Sequence, residues 1–201
     1  MSDEKAIRAF LAVDPPEEIF NEIIKIQERL RKAIQGDIRW VRPEGIHLTL
    51  KFFGYVYESD IANISHVVKN NVASMKELML NVRNIGAFPT VSRPRVLWLG
   101  IDGDTDALIG LQAEIDTGFH EYGFKKEDRP FRPHLTLARI KEPKGLIGLA
   151  ETLKKNEGYV AGSFTVSGLT LFKSDLKPMG AIYTKLAYFP FPRMSRRPED
   201  L

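Results

Sequence analysis

The chain has 201 residues, 43% of them hydrophobic and 27% charged, with 29 Lys and Arg against 26 Asp and Glu, which is an ordinary globular composition with room for one well-cored domain or two lobes. It has no Cys, excluding disulfides, thiolate nucleophiles and Cys-ligated zinc; it also has no apolar run near the ~20 residues that cross a bilayer, and no basic-then-apolar leader at its start, so a cytoplasmic location is expected. The net charge of +3 suits an anionic ligand such as a nucleic-acid end without requiring one.

Residues 6–13 form an apolar run stopped by Asp14-Pro15-Pro16 and read as a buried strand. The proline pair opens a helix, with Asp14 or a neighbour as its cap, whose Ile19, Phe20, Ile23, Ile26 and Leu30 recur at helical spacing up to Gly36. Residues 38–41 predict a short strand that turns at Pro43-Glu44-Gly45 into a second, 46–54. A second helix follows from about Ser59 to Val72, then a strand at 78–83, an irregular stretch at 86–95 and a strongly apolar strand at 96–101. The spacing predicts a third helix over 105–122, a polar loop over 125–129 and a strand over 134–140. A fourth helix near 145–155 and two strands, 159–172 and 181–189, complete the pattern, with 190–201 expected as a flexible tail.

The organising feature is a repeat. His47-Leu48-Thr49-Leu50 recurs letter for letter at His134-Leu135-Thr136-Leu137, 87 residues later, in a chain with only four histidines. On a strand, residues two apart share a face. Each copy therefore presents His and Thr on one side and two Leu on the other, the pattern of a half-buried strand. Two halves of similar content argue for an internal duplication. The expected fold class is α+β, with residues 1–189 as one bilobal, pseudo-two-fold domain. Two mainly antiparallel sheets would line a central cleft, helices outside, one motif in each lobe.

Two imidazoles across one cleft match in-line displacement at phosphorus, one taking a proton from the incoming oxygen and the other protonating the departing one. The Thr49 and Thr136 hydroxyls, pointing the same way, suit the non-bridging oxygens. This reading alone does not say which histidine is acid and which is base. No metal or other cofactor is called for, and the helical His-Glu-x-x-His pattern is absent. His66 and His120 lie in helical segments without such a context.

The paired His-x-Thr motifs resemble those of the two-histidine phosphoesterase superfamily. Within it the chain is most similar to the RNA 2′,3′-cyclic phosphodiesterases, long called 2′-5′ RNA ligases. The likeness runs from residues 8–16 through 47–54, 95–100 and 131–139 to Leu171-Phe172-Lys173-Ser174 and Tyr183. It implies hydrolysis of an RNA-terminal 2′,3′-cyclic phosphate to a 2′-phosphomonoester, with reverse 2′-5′ ligation as its mirror. By the resemblance His47 is the proton donor and His134 the proton acceptor. The implied partners are RNA ends bearing the cyclic phosphate, tRNA fragments among them, for a monomer acting in RNA processing away from membranes.

Lys51, Arg132 and Arg139, with Arg39 and Arg42, are candidates for holding the RNA end. The resemblance favours Arg139, yet 139 − 134 = 5 is odd, so strict alternation puts it on the face opposite His134 unless a bulge re-aims it. Phe52 and Tyr183 are candidates for stacking a base, and Phe10 more naturally packs in the core. Two other readings keep the cleft: a non-catalytic RNA- or nucleotide-binding module, and a phosphodiesterase for 2′-5′ oligonucleotides or small cyclic nucleotides.

Overall fold

The strand nearest the N-terminus is buried almost end to end, because it lies inside a sheet with a neighbour on each side. In the computed structural model, which describes residues 5–177 and 180–192, the elements follow in this order: β1 (Ala6–Val13), α1 (Glu17–Ala33), β2 (Ile38–Trp40), a 3-10 turn (Pro43–Gly45), β3 (Leu48–Tyr57), α2 (Asp60–Val72), β4 (Leu78–Pro89), β5 (Pro94–Gly103), α3 (Thr105–Glu121), β6 (His134–Ile140), α4 (Leu149–Lys155), β7 (Val160–Val166), β8 (Gly168–Lys177) and β9 (Gly180–Pro190). One sheet has the order β3-β1-β8-β9 and the other β2-β6-β5-β4-β7, with every pairing antiparallel. Among the described residues no helix is long and apolar enough to cross a membrane.

The fold is α+β with two antiparallel sheets, as expected, but the sheets are not consecutive halves of the chain. β2, from the N-terminal half, edges the second sheet, and β8 and β9, from the C-terminus, complete the first. Counted from the motif strands the sheets run β3-β1-β8-β9 and β6-β5-β4-β7; β6 carries the second motif, and His47 of the first stands one residue before β3. The predicted strand over 159–172 is in fact two. β7 pairs with β4 in the second sheet, and β8 pairs with β1 in the first, the chain crossing between them at Ser167. β4 and β5 take in most of the stretch that reads as irregular, because they zip together in a long hairpin. The fold also extends past residue 189. Pro190 ends β9, and Phe191 is buried with its backbone N–H donating to the Ser167 carbonyl. The rest of the expected tail, 193–201, lies outside the described residues.

One continuous apolar core joins the backs of both sheets to the helices. Helix α1 buries Ile19, Ile23, Ile26 and Leu30, four residues on one stripe of the helix, and packs against β7. Helices α2 and α3 pack on each other and behind β3, where Phe53 meets Phe119 edge-on. The opposite faces of the two sheets are left to form the cleft.

Candidate active site

His47, Thr49, His134 and Thr136 line one cavity of about 290 Å³, together with Phe10, Phe52, Arg139 and Tyr183. The two motif strands meet across it. Each motif carries the same irregularity. In β3, Ala12 faces Thr49 and Leu11 faces Lys51, so Leu50 is an extra residue. In β6, Trp98 faces Thr136 and Leu97 faces Ala138, so Leu137 is extra. A bulge at the last residue of the tetrapeptide shifts all that follows by one position and exchanges the faces.

The bulges decide which of the predicted residues reach the cavity. Arg139, on the wrong face by simple alternation, is paired with Val96 on the same side as Thr136 and opens into the cavity. Its guanidinium makes no ion pair among the described residues. Arg39 stands directly opposite it on β2. The equivalent residue in β3 is Phe52, five positions after His47 as Arg139 is five after His134, and it too turns to the cavity.

Lys51 goes the other way. It is set opposite the core residue Leu11, and its ammonium lies 2.6 Å from Asp116 of α3 and 3.3 Å from Glu127, with the Lys125 carbonyl as a further acceptor. Lys51 thus lines one side of the cavity with its charge paired to Asp116 and Glu127.

A bulge leaves a backbone carbonyl short of its ladder partner, which is costly when buried. A helix glutamine reaches each bulged carbonyl, and at Leu137 the Val41 backbone N–H donates as well. The buried Gln27 of α1 donates its amide to the Leu137 carbonyl at 2.9 Å, and the buried Gln112 of α3 donates to the Leu50 carbonyl at 3.4 Å. Gln27 also reaches the Val41 carbonyl. Neither glutamine stands out in the sequence, since a polar residue on a helix reads as exposed until the packing is known.

Each imidazole is oriented by the residue two before it. His134 donates from Nδ1 to the Arg132 carbonyl at 2.7 Å, which leaves Nε2 of the neutral ring as an acceptor. His47 makes the corresponding backbone hydrogen bond to Gly45. Burial pushes both imidazoles below the ordinary histidine value, but the neighbouring charges differ. Beside His47 stands Asp14, its Oδ1 3.6 Å from Nε2, which pulls that imidazole back up against a smaller opposing pull from Lys185. Beside His134 the nearby charge is Arg139, which lowers it further.

Asp14 is a site residue that the sequence disguises as a helix cap. The N-cap position of α1 is Pro16, without a side-chain cap bond, so the Asp14 carboxylate is left to His47 and to Lys185, 2.5 Å away. His47 itself is walled by rings. Phe172 lies at 4.6 Å between centroids, Tyr183 at 5.3 Å and Phe10 at 5.6 Å. Phe10 is buried under this cluster, a core residue that also floors the cavity.

Arg132 does not enter the shared cavity. Its guanidinium lies 5.9 Å from the Phe88 ring centre, in an adjoining cavity of about 460 Å³ that His134 also borders. That second space is lined by Trp98, whose indole covers Gly86, where a Cβ would collide with it, and lies beside Gly100. The Thr49 and Thr136 hydroxyls are half-buried and have no protein partner among the described residues. His66 and His120 are on the outer helices, bonded to Asn70 and Phe124. Among the described residues no three of His, Asp and Glu converge as a metal ion would need.

The pattern that defines the 2′-5′ RNA ligase superfamily matches residues 15–178. A protein of Methanothermobacter thermautotrophicus named RNA 2′,3′-cyclic phosphodiesterase is 37% identical over 91% of this chain and 98% of its own length. The protein of that name from Methanocaldococcus jannaschii is 36% identical over 88% of this chain and 96% of its own. Among solved structures, Escherichia coli LigT complexed with 3′-AMP is similar with a TM-score of 0.76, at 26% identity, over 94% of this chain and all of that one.

Proposed function

The chain belongs to the 2′-5′ RNA ligase superfamily, and from that premise we propose that it hydrolyses the 2′,3′-cyclic phosphate at an RNA end to a 2′-phosphomonoester. The observation that carries the reading is the single cavity shared by His47, Thr49, His134 and Thr136. Relatives named for this reaction and a neighbour holding a nucleotide support the substrate class.

In the proposed reaction His134, with Nε2 free to accept, removes a proton from water as its oxygen attacks phosphorus. The bond from phosphorus to O3′ breaks, and His47 gives its proton to that oxygen. The products are a 2′-phosphate and a 3′-hydroxyl, and solvent restores the two imidazoles to their starting states. The division of labour follows the surroundings. An acid must hold a proton, which Asp14 favours at His47, whereas a base must be neutral, which Arg139 favours at His134. The two threonine hydroxyls and the Arg139 guanidinium would meet the charge that develops on the non-bridging oxygens. Phe52 and Tyr183 flank the place left for the terminal base.

Ligation, the same displacement with a 5′-hydroxyl as nucleophile, has an observation of its own. The cavity beyond His134, floored by Trp98 and Phe88, has room for a nucleoside whose 5′-hydroxyl would take the place of water. Both lobes belong to one domain and close on a single RNA end. The test is turnover of a cyclic-phosphate-ended RNA, 2′,3′-cAMP and a 2′-5′-linked A dimer, each with EDTA present. The cyclic phosphates should be opened to 2′-phosphates. Tight binding of 2′-AMP with no product from any substrate would replace this function with that of a binding module, and turnover of the 2′-5′ dimer alone would reassign the substrate.

A further inference from the structure

Strand β3 continues beyond the motif, and a second register shift follows the first. Phe10 faces Phe52 and Ala9 faces Gly54, so Phe53 is the extra residue. Gly54 at φ 75° takes the backbone conformation that the irregularity needs and that a side chain would resist. The outcome is that Tyr55 and Tyr57, set opposite Arg8 and Ala6, share the face of Phe52. Phe53 meanwhile goes behind the sheet to Phe119 and Phe124.

Three aromatic rings thus run outward from the cavity along one edge strand, 52%, 72% and 53% exposed. Exposed aromatics in such a row bury little and stabilise little, so the core does not account for them. Neither tyrosine hydroxyl has a protein partner among the described residues. Same-face residues on a strand stand roughly 6.6 Å apart, a step that a stretched single strand makes per nucleotide. Arg8 stands beside Tyr55 in β1, and past Tyr57 come Glu58 and Asp60, the latter accepting the Tyr57 backbone N–H. A positive group lies along the row, and acidic groups stand where it ends.

We propose that Tyr55 and Tyr57 continue outward from Phe52, which flanks the terminal base, as a stacking track for the unpaired nucleotides that precede the reacting RNA end, with Arg8 facing their backbone. Rings of this kind hold single strands without reading their sequence. The proposal rests on the reading above for the identity of the substrate, and continuity with the cavity argues for RNA as the occupant. The track has room for about three nucleotides before the acidic end repels further phosphate.

The experiment measures kcat/KM on 2′,3′-cAMP and on cyclic-phosphate-ended oligonucleotides of two to six residues, for the wild type, Tyr55→Ala, Tyr57→Ala and Tyr55→Trp. Binding of the matching 2′-phosphate-ended oligonucleotides, followed by fluorescence anisotropy, runs alongside. The wild type should gain with length up to three or four nucleotides and then level off. Each alanine should cost about ten-fold on the long substrates, in KM, and leave 2′,3′-cAMP unchanged, and the tryptophan should retain the gain. A wild type indifferent to length, or alanines that act equally on 2′,3′-cAMP, would overturn the track. So would alanines that only change the oligomeric state, the sign that a second copy covers this edge. Absence of turnover on every substrate would count against the phosphodiesterase reading, and the anisotropy series would then judge the track by itself.

Discussion

The two HLTL regions share the features that aim the imidazoles and differ in what touches the histidines. Both histidines bond the backbone two residues back, both strands bulge at the final Leu, and both bulged carbonyls take an amide from a buried Gln on a helix. The differences are single residues. On β1, Ala12 faces Thr49 and Asp14 comes two residues later; on β5, Trp98 faces Thr136 and Gly100 comes two residues later. Five residues after the histidine one strand has Phe52 and the other Arg139, and beside them stand Lys51 and Ala138. Repeated backbone chemistry aims two imidazoles at one space, and a few side chains give them separate tasks.

The comparison is broken most severely at the histidines. His47→Ala and His134→Ala should each lower kcat by about 10²–10⁴-fold, with unchanged circular dichroism, and single-turnover assays would measure it. Next is the one place where the first motif carries a structural charge. Lys51→Met leaves Asp116 buried without its partner and should destabilise the fold by about 3–5 kcal/mol, read by urea unfolding. Lys51→Met with Asp116→Leu should recover much of that loss, and both variants should keep kcat/KM. Loss of binding in the stable double variant would return Lys51 to the substrate.

A smaller break acts through the bulges. Gln27→Leu removes one of the two donors to the Leu137 carbonyl, leaving the Val41 N–H, and should loosen Arg139, raising KM up to about ten-fold with a lesser change in kcat; Gln112→Leu removes the side-chain donor to the Leu50 carbonyl and should do the same for Phe52. Smallest are two shifts of opposite sense in the pH–rate profile. Asp14→Asn removes the charge that raises the His47 imidazole, so the acid loses its proton sooner and the alkaline limb moves to lower pH. Arg139→Gln removes a charge that lowers His134, so the base is protonated sooner and the acidic limb moves to higher pH.

The repeat is enough to place both histidines and both threonines in one cavity on paper, because a tetrapeptide on a strand has only two faces. Beyond the fourth residue strict alternation fails. It puts Arg139 away from His134 and Lys51 on the face of His47 and Thr49, the reverse of both placements, since a bulge depends on a partner strand far away in the sequence. Element types are mostly legible from periodicity; the exceptions are the stretch at 86–95, where β4 and β5 pair, and the crossing at Ser167-Gly168, a turn dipeptide set within a continuous apolar run. The interleaving of the sheets is not, because nothing local in β8 states that its neighbour is β1. Asp14 is hidden by a plausible local role that the fold does not use.

The central claim is that two distant imidazoles address a single phosphorus. Its most direct test is to follow the ring ¹⁵N signals of all four histidines while 2′-AMP is added, repeating the titration over pH. The phosphate should move His47 and His134 along one saturation curve and raise the pKa of both, with His66 and His120 unmoved on their outer helices. A curve in which only one of the pair responds, or in which the two saturate at different concentrations, would contradict it.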